Sequence, residues 1–178
     1  TNPHSDIYKV NLRTGEKELL KKDATSSTLL ASPKGTYYTL YGSLTKDWYL
    51  YNMVTGEHRN LTKDLGVAFW NEDTDTPGLP RPYSAPQWVE TEEYFYIGDR
   101  YDLWRFDPKG EVAPYMITEG VGKATENTFK IIRPVHDPKA KKTRFGNASG
   151  PLKADQPLYL SAFNRVSREH GFYMKDIT

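Results

Sequence analysis

The side chains best suited to chemistry are three carboxylates close together, Glu72, Asp73 and Asp75. Such a group could hold a cation, or the ammonium group of a peptide amino terminus. Either task needs at least two oxygens converging at hydrogen-bond distance. The surrounding run, Asn71 to Gly78, is polar and rich in turn formers, so the competing reading is a solvated loop. Loops inserted between regular elements are also where binding residues concentrate, and the three are therefore kept as a candidate substrate-facing loop. Glu92-Glu93 is a second acidic pair, but it falls in the turn before a strand and receives no role.

The remaining reactive types give less. His4, His58, His136 and His170 lack the spacing of metal ligands, and an adjacent pair such as His136-Asp137 does not make a metal site. A serine nucleophile needs Gly-x-Ser-x-Gly on a strand–turn–helix, which exposes the hydroxyl beside its oxyanion donors. Gly146-Asn147-Ala148-Ser149-Gly150 places the serine one position too late. No catalytic, metal or cofactor residue is assigned. Lys139, Lys141, Lys142 and Arg144 follow no period and lack interleaved aromatics, so they read as an exposed loop. Asn60-Leu61-Thr62 and Asn147-Ala148-Ser149 match the glycosylation sequon, which matters only in a eukaryotic secretory setting.

Composition narrows the classes. Lysine plus arginine (24) nearly balances aspartate plus glutamate (23), against the basic excess of nucleic-acid or membrane-surface binders. Cysteine is absent, which removes disulfides and thiolate catalysis. No apolar run reaches membrane-spanning length, and no basic-then-apolar leader opens the chain. Aromatic residues make up 13%, thirteen of them tyrosine, which suits half-buried pleated surfaces.

The elements that would carry these residues are strands and turns. Asp6 to Leu12 alternates apolar and polar residues, then turns at Thr14-Gly15-Glu16. The pattern returns 41 residues later as Asp47 to Met53 before Thr55-Gly56-Glu57. A third copy, Asp102 to Asp107, precedes Gly110-Glu111 after a spacing of 55 residues, and a fourth starts at Gly171 to Asp176 after 69. The extra length is expected between Asn71 and Pro86, and between Asp137 and Gln156. Segments Asp64 to Trp70 and Ile117 to Thr125 could each hold a turn or two of helix.

A repeat of roughly 40–50 residues with about four short strands is the signature of β-propeller blades. The fold class expected is all-β, a partial propeller of about three to four four-stranded antiparallel blades. Residues 1–178 form one segment with approximate units 1–46, 47–101 and 102–170 and the start of another at 171–178. Tyr8, Tyr49, Trp104 and Tyr173 share one phase and are expected to be core or inter-blade residues. Because known propellers take about 4–8 blades, both ends are expected to lie within a larger one, with self-association through exposed blade edges.

Ser32-Pro33-Lys34-Gly35-Thr36-Tyr37 and Pro86-Gln87-Trp88 before Tyr94-Phe95-Tyr96 resemble blade turns of the propeller domain of prolyl oligopeptidase-family serine peptidases, among the TolB-like propellers. Asp99 to Trp104, Ile117 to Lys123, Leu158 to Asn164 and Gly171-Phe172-Tyr173 are similar, in order, to exported bacterial members. The resemblance implies a non-catalytic propeller segment that gates peptide substrates toward an α/β-hydrolase domain absent from these residues. Its partners would be the rest of the propeller, that hydrolase domain and a peptide, with no nucleic acid, membrane or cofactor. It also implies an exported or periplasmic location in a bacterium. The alternative is a TolB-like interaction module without peptidase activity.

Overall fold

The computed structural model describes residues 4–75, 77–133, 142–143, 146–147 and 150–177. The chain is all-β. Its alternating segments become β1 (Ser5–Val10), β2 (Lys17–Ala24), β3 (Ser26–Ala31), β4 (Tyr37–Gly42), β5 (Asp47–Asn52) and β6 (His58–Asn60). They continue as β7 (Gln87–Trp88), β8 (Phe95–Gly98), β9 (Leu103–Phe106) and β10 (Tyr115–Met116). The last group is β11 (Asn127–Ile132), β12 (Lys142–Thr143), β13 (Gly146–Asn147), β14 (Leu158–Asn164) and β15 (His170–Lys175). Among the described residues one short helix, α1 (Val121–Ala124), follows Gly120, whose φ of 76° sets its entry. The 64–70 segment forms turns instead.

Two antiparallel four-stranded sheets, β3-β4-β5-β6 and β7-β8-β9-β10, pair in chain order. A three-stranded sheet, β11-β14-β15, follows, with β1-β2 and β12-β13 as hairpins. The repeating sequence phase marks β1, β5 and β9, each the next-to-last strand of its sheet, and β15, the last of its own. A unit counted from Asp47 therefore starts midway through one sheet and ends midway through the next.

The turns recur in detail. Asn11 Oδ1 accepts the Arg13 and Thr14 N–H groups at 2.9 and 3.3 Å, and Asn52 Oδ1 accepts Val54 and Thr55 at 2.9 and 3.1 Å. The left-handed position is Gly15 or Gly56, at φ 76° and 79°. Asp107 caps a wider version of the turn around Gly110, accepting the Lys109, Glu111 and Val112 N–H groups. The asparagine turn appears once more at Asn164 to Glu169, ahead of β15, with Arg168 at φ 65°. A short polar side chain closing on backbone two and three residues ahead is what makes these turns local.

Alternation in the central sheet sends side chains to two cores. Phe95, Ile97, Trp104 and Phe106 join Tyr41, Trp48 and Phe69 from the preceding segment. Tyr94, Tyr96 and Leu103 join Phe129, Leu158, Leu160 and Ala162 from the following sheet. The 87–116 sheet is thus covered on both faces. This coverage corrects one expectation: Trp104 is buried at 6% exposure, yet Tyr8 and Tyr173 at the same phase are 48% and 49% exposed. Tyr49 lies between these extremes. Tyr173 shares the face of Leu160 and meets Phe129 edge-on, but it stands on β15, the edge strand of its sheet, and Tyr8 stands in a hairpin of only two strands.

Candidate functional site

The long connection between β6 and β7 carries the acidic residues. Phe69, 1% exposed, packs edge-on against Trp104 and Phe106, pinning the base of the excursion to the core. Backbone bonds from Asn71 N–H to Arg81 O (2.7 Å) and from Tyr83 N–H to Phe69 O (3.0 Å) close it as a narrow finger. Asn71 Oδ1 accepts the Asp73 N–H at 3.0 Å and turns the tip.

At that tip Asp73 reaches two distant turns. Its Oδ1 accepts Arg100 Nη2 at 2.7 Å, and its Oδ2 accepts Arg165 Nη2 at 2.8 Å. Arg100 stands in the β8–β9 turn and Arg165 in the β14–β15 turn. Glu72 lies 3.9 Å from Arg100 Nη1, and its N–H donates to the Tyr83 hydroxyl at 3.0 Å. Burial is the largest influence on Tyr83 and raises its pKa. Asp75 is exposed and makes no hydrogen bond or ion pair among the described residues. The three carboxylates therefore do not converge on one cation. Asp73 is neutralised by two guanidinium groups, Glu72 turns to Arg100, and Asp75 faces solvent.

Beneath the finger a cleft of about 900 Å³ opens between the 87–116 and 127–175 sheets. Asp73 lines it; Glu72 and Asp75 do not. Its charged walls carry Arg100, Lys130, Arg133 and Arg165 against Asp73 and Asp99. Asp99 is occupied as well: it accepts the Tyr101 and Asp102 N–H groups at 2.7 Å each, and Trp104 Nε1 at 2.8 Å. Tyr96 also lines the cleft and is 0% exposed, and its hydroxyl has only the neighbouring Tyr94 as a polar partner among the described residues. Burial, reinforced by the neighbouring Tyr94, raises the Tyr96 pKa, so the hydroxyl stays protonated and can donate. Arg133 Nε is buried without a partner too, and burial lowers that arginine's pKa.

The other candidates disperse. His4 meets Asp23 at 2.6 Å on the surface, His58 stacks on Tyr51, and His170 lines the cleft beside Phe163. Among the described residues no three potential metal ligands gather. His136, Lys139, Lys141, Arg144 and Ser149 lie outside the described residues, and Lys142 is described only through the backbone of β12. Glu92, set aside in sequence, is 7% exposed at φ 64°, and its Oε1 accepts the Lys34 N–H at 2.5 Å. It ties the Ser32-to-Gly35 turn to the next sheet, a structural role.

Sequence reasoning missed Arg100, Arg133, Arg165 and Tyr96. The available signal was modest: Arg100 sits in the Asp99-to-Trp104 stretch, and Arg165 follows the recurring turn asparagine.

No protein-family profile matches the chain, and no curated protein does. Among solved structures, Kuenenia stuttgartiensis hydrazine synthase is 8% identical with a TM-score of 0.41, over 95% of this chain and 43% of that one. A protein from Lactobacillus plantarum is 20% identical with a TM-score of 0.36, over 97% of this chain and 49% of that one. The chain spans less than half the length of either structure. Likenesses of this size carry no argument about fold or function.

Proposed function

We propose that this chain is a non-catalytic β-propeller segment of a prolyl oligopeptidase-family serine peptidase. In this reading it shapes the access of peptides to an α/β-hydrolase domain that lies outside these 178 residues. The observation that carries the reading is the placement of the cleft. It lies between two successive antiparallel sheets and under a finger inserted into the repeat. Stacked sheets give a rigid frame, and the inserted loop decides what enters between them. The partners proposed are the remaining blades, the hydrolase domain and an extended peptide.

The test is calorimetric titration of the chain with short peptides and with a folded protein of similar charge. Peptides should bind without being cleaved, and the folded protein should not bind. Absence of peptide binding would remove the reading. Hydrolysis abolished by a serine reagent would remove its non-catalytic half.

A second reading, a TolB-like interaction module, draws on β15. Phe172 and Met174 on this edge strand are 79% and 66% exposed, beside Tyr173. An exposed apolar edge invites strand pairing with another chain. Phe172→Glu should then abolish association seen by sedimentation while leaving peptide binding intact. Sedimentation as a monomer in both forms would count against that module.

A further inference from the structure

The cleft contains donors without acceptors. Both of its wall carboxylates are already engaged, Asp73 by Arg100 and Arg165, and Asp99 by two backbone N–H groups and Trp104. Four cationic side chains face those two carboxylates, leaving a formal excess of positive charge. Arg133 Nε and Arg100 Nε are buried and unpartnered among the described residues, and the buried Tyr96 hydroxyl has only Tyr94 beside it. A buried donor without an acceptor is costly, so an arriving acceptor relieves a cost already present. Lys130 stands on β11 between Phe129 and Ile131, and all three border the cleft. A ligand taken there meets charge and apolar surface together.

We propose that this cleft binds a carboxylate carried by a peptide, with Arg133 and Lys130 as cationic partners and the Tyr96 hydroxyl as a neutral donor. The inference rests on the peptide-access reading and adds to it the chemistry selected. A carboxylate offers two coplanar oxygens that match a guanidinium fork, and the apolar walls favour a peptide over a bare ion. The carboxylate could belong to a peptide C-terminus or to an aspartate or glutamate side chain.

The experiment is isothermal titration of the full chain at low salt with four unlabelled probes. These are a neutral tetrapeptide with a free C-terminus, its amide, an acetylated and amidated peptide with one glutamate, and benzoate. One carboxylate-bearing peptide should bind about tenfold more tightly than the amide, and whichever does so identifies the source. Arg133→Gln should reduce that peptide to the affinity of the amide, and Tyr96→Phe should weaken it several-fold. If Arg133→Gln loses its cooperative thermal transition, Lys130→Gln, at an exposed position, must weaken binding instead.

Equal affinity for all the peptides would overturn the inference while preserving peptide access. Arg133-dependent binding of benzoate without any peptide binding would preserve the carboxylate site and overturn peptide access. Inorganic phosphate displacing the peptide at equal affinity would overturn the assignment to carboxylate.

Discussion

The Thr118 hydroxyl donates to Asp102 Oδ1 at 2.7 Å while accepting the Leu103 N–H at 3.1 Å. Thr62 does the same in the preceding sheet, donating to Asp47 Oδ1 at 2.8 Å and accepting the Trp48 N–H at 3.1 Å. In both, the aspartate at the entry to the third strand, Asp47 as its first residue and Asp102 just before it, is locked to a threonine beyond the fourth. The lock converts a sequence repeat into a repeated hydrogen-bond circuit.

Asp102 is 2% exposed and also accepts the Gly122 and Lys123 N–H groups at 2.9 and 3.0 Å. Asp102→Ala strands three donors, and at about 1–3 kcal/mol per buried donor the expected loss is about 3 kcal/mol or more. Asp47→Ala, at a half-buried site, should cost about 1–2 kcal/mol. Urea denaturation measures both. A loss within about 0.5 kcal/mol at Asp102 would match a surface change and dissolve the lock.

Gly122 packs where a side chain does not fit. A Cβ there would stand 2.6 Å from the Tyr101 carbonyl oxygen and 2.8 Å from Asp102 Oδ1. The first obstacle is backbone, so relief requires moving the strand entry. Gly122→Ala should therefore destabilise by about 1–3 kcal/mol despite alanine's better helix propensity. An unchanged or raised melting temperature would refute the packing argument.

Trp104 and Tyr173 share a phase but not an environment. Trp104→Ala should cost about 3–5 kcal/mol, since it removes a buried ring and its bond to Asp99. Tyr173→Ala, half exposed, should cost about 1 kcal/mol or less. Equal losses in chemical denaturation would contradict the coverage of the central sheet.

Burial opposes ionisation of Glu92, but bonds from Ser32, Thr36 and the Lys34 N–H, with the Lys34 charge, outweigh it. Its pKa is lowered in the folded protein. The stabilisation is complete above the ordinary glutamate value, about 4.3, and is lost as pH falls through the folded value. Glu92→Gln should flatten the acid limb of the stability curve below about pH 4.5. Stability curves of equal slope there would exclude the linkage.

The Asp73 clamp is partly exposed, its three side chains retaining 26%, 34% and 43% of their surface. Asp73→Asn should cost only about 1 kcal/mol, and the difference should shrink in high salt. A salt-independent loss would show that the carboxylate serves packing instead.

Much of the strand order was legible because its signals are local. Asn11, Thr14 and Gly15 make a turn within six residues, and Asn52, Thr55 and Gly56 repeat it. The acidic loop was legible as a position but not as chemistry. Its aspartate is answered by arginines 27 and 92 residues away. Glu92 was hidden the same way, since its partner Lys34 is 58 residues distant.

Alternation and turn chemistry in the chain were enough to specify antiparallel strands, since both depend on neighbours a few residues apart. Which face became core, and which charges stayed available, depended on how the sheets stack. Trp104 is buried and Tyr173 is not because β9 lies inside its sheet and β15 is the edge of its own. Asp73 is spent and Arg133 is unanswered because ionic partners are chosen by proximity in space. That proximity exists only after sheets far apart in sequence have packed together.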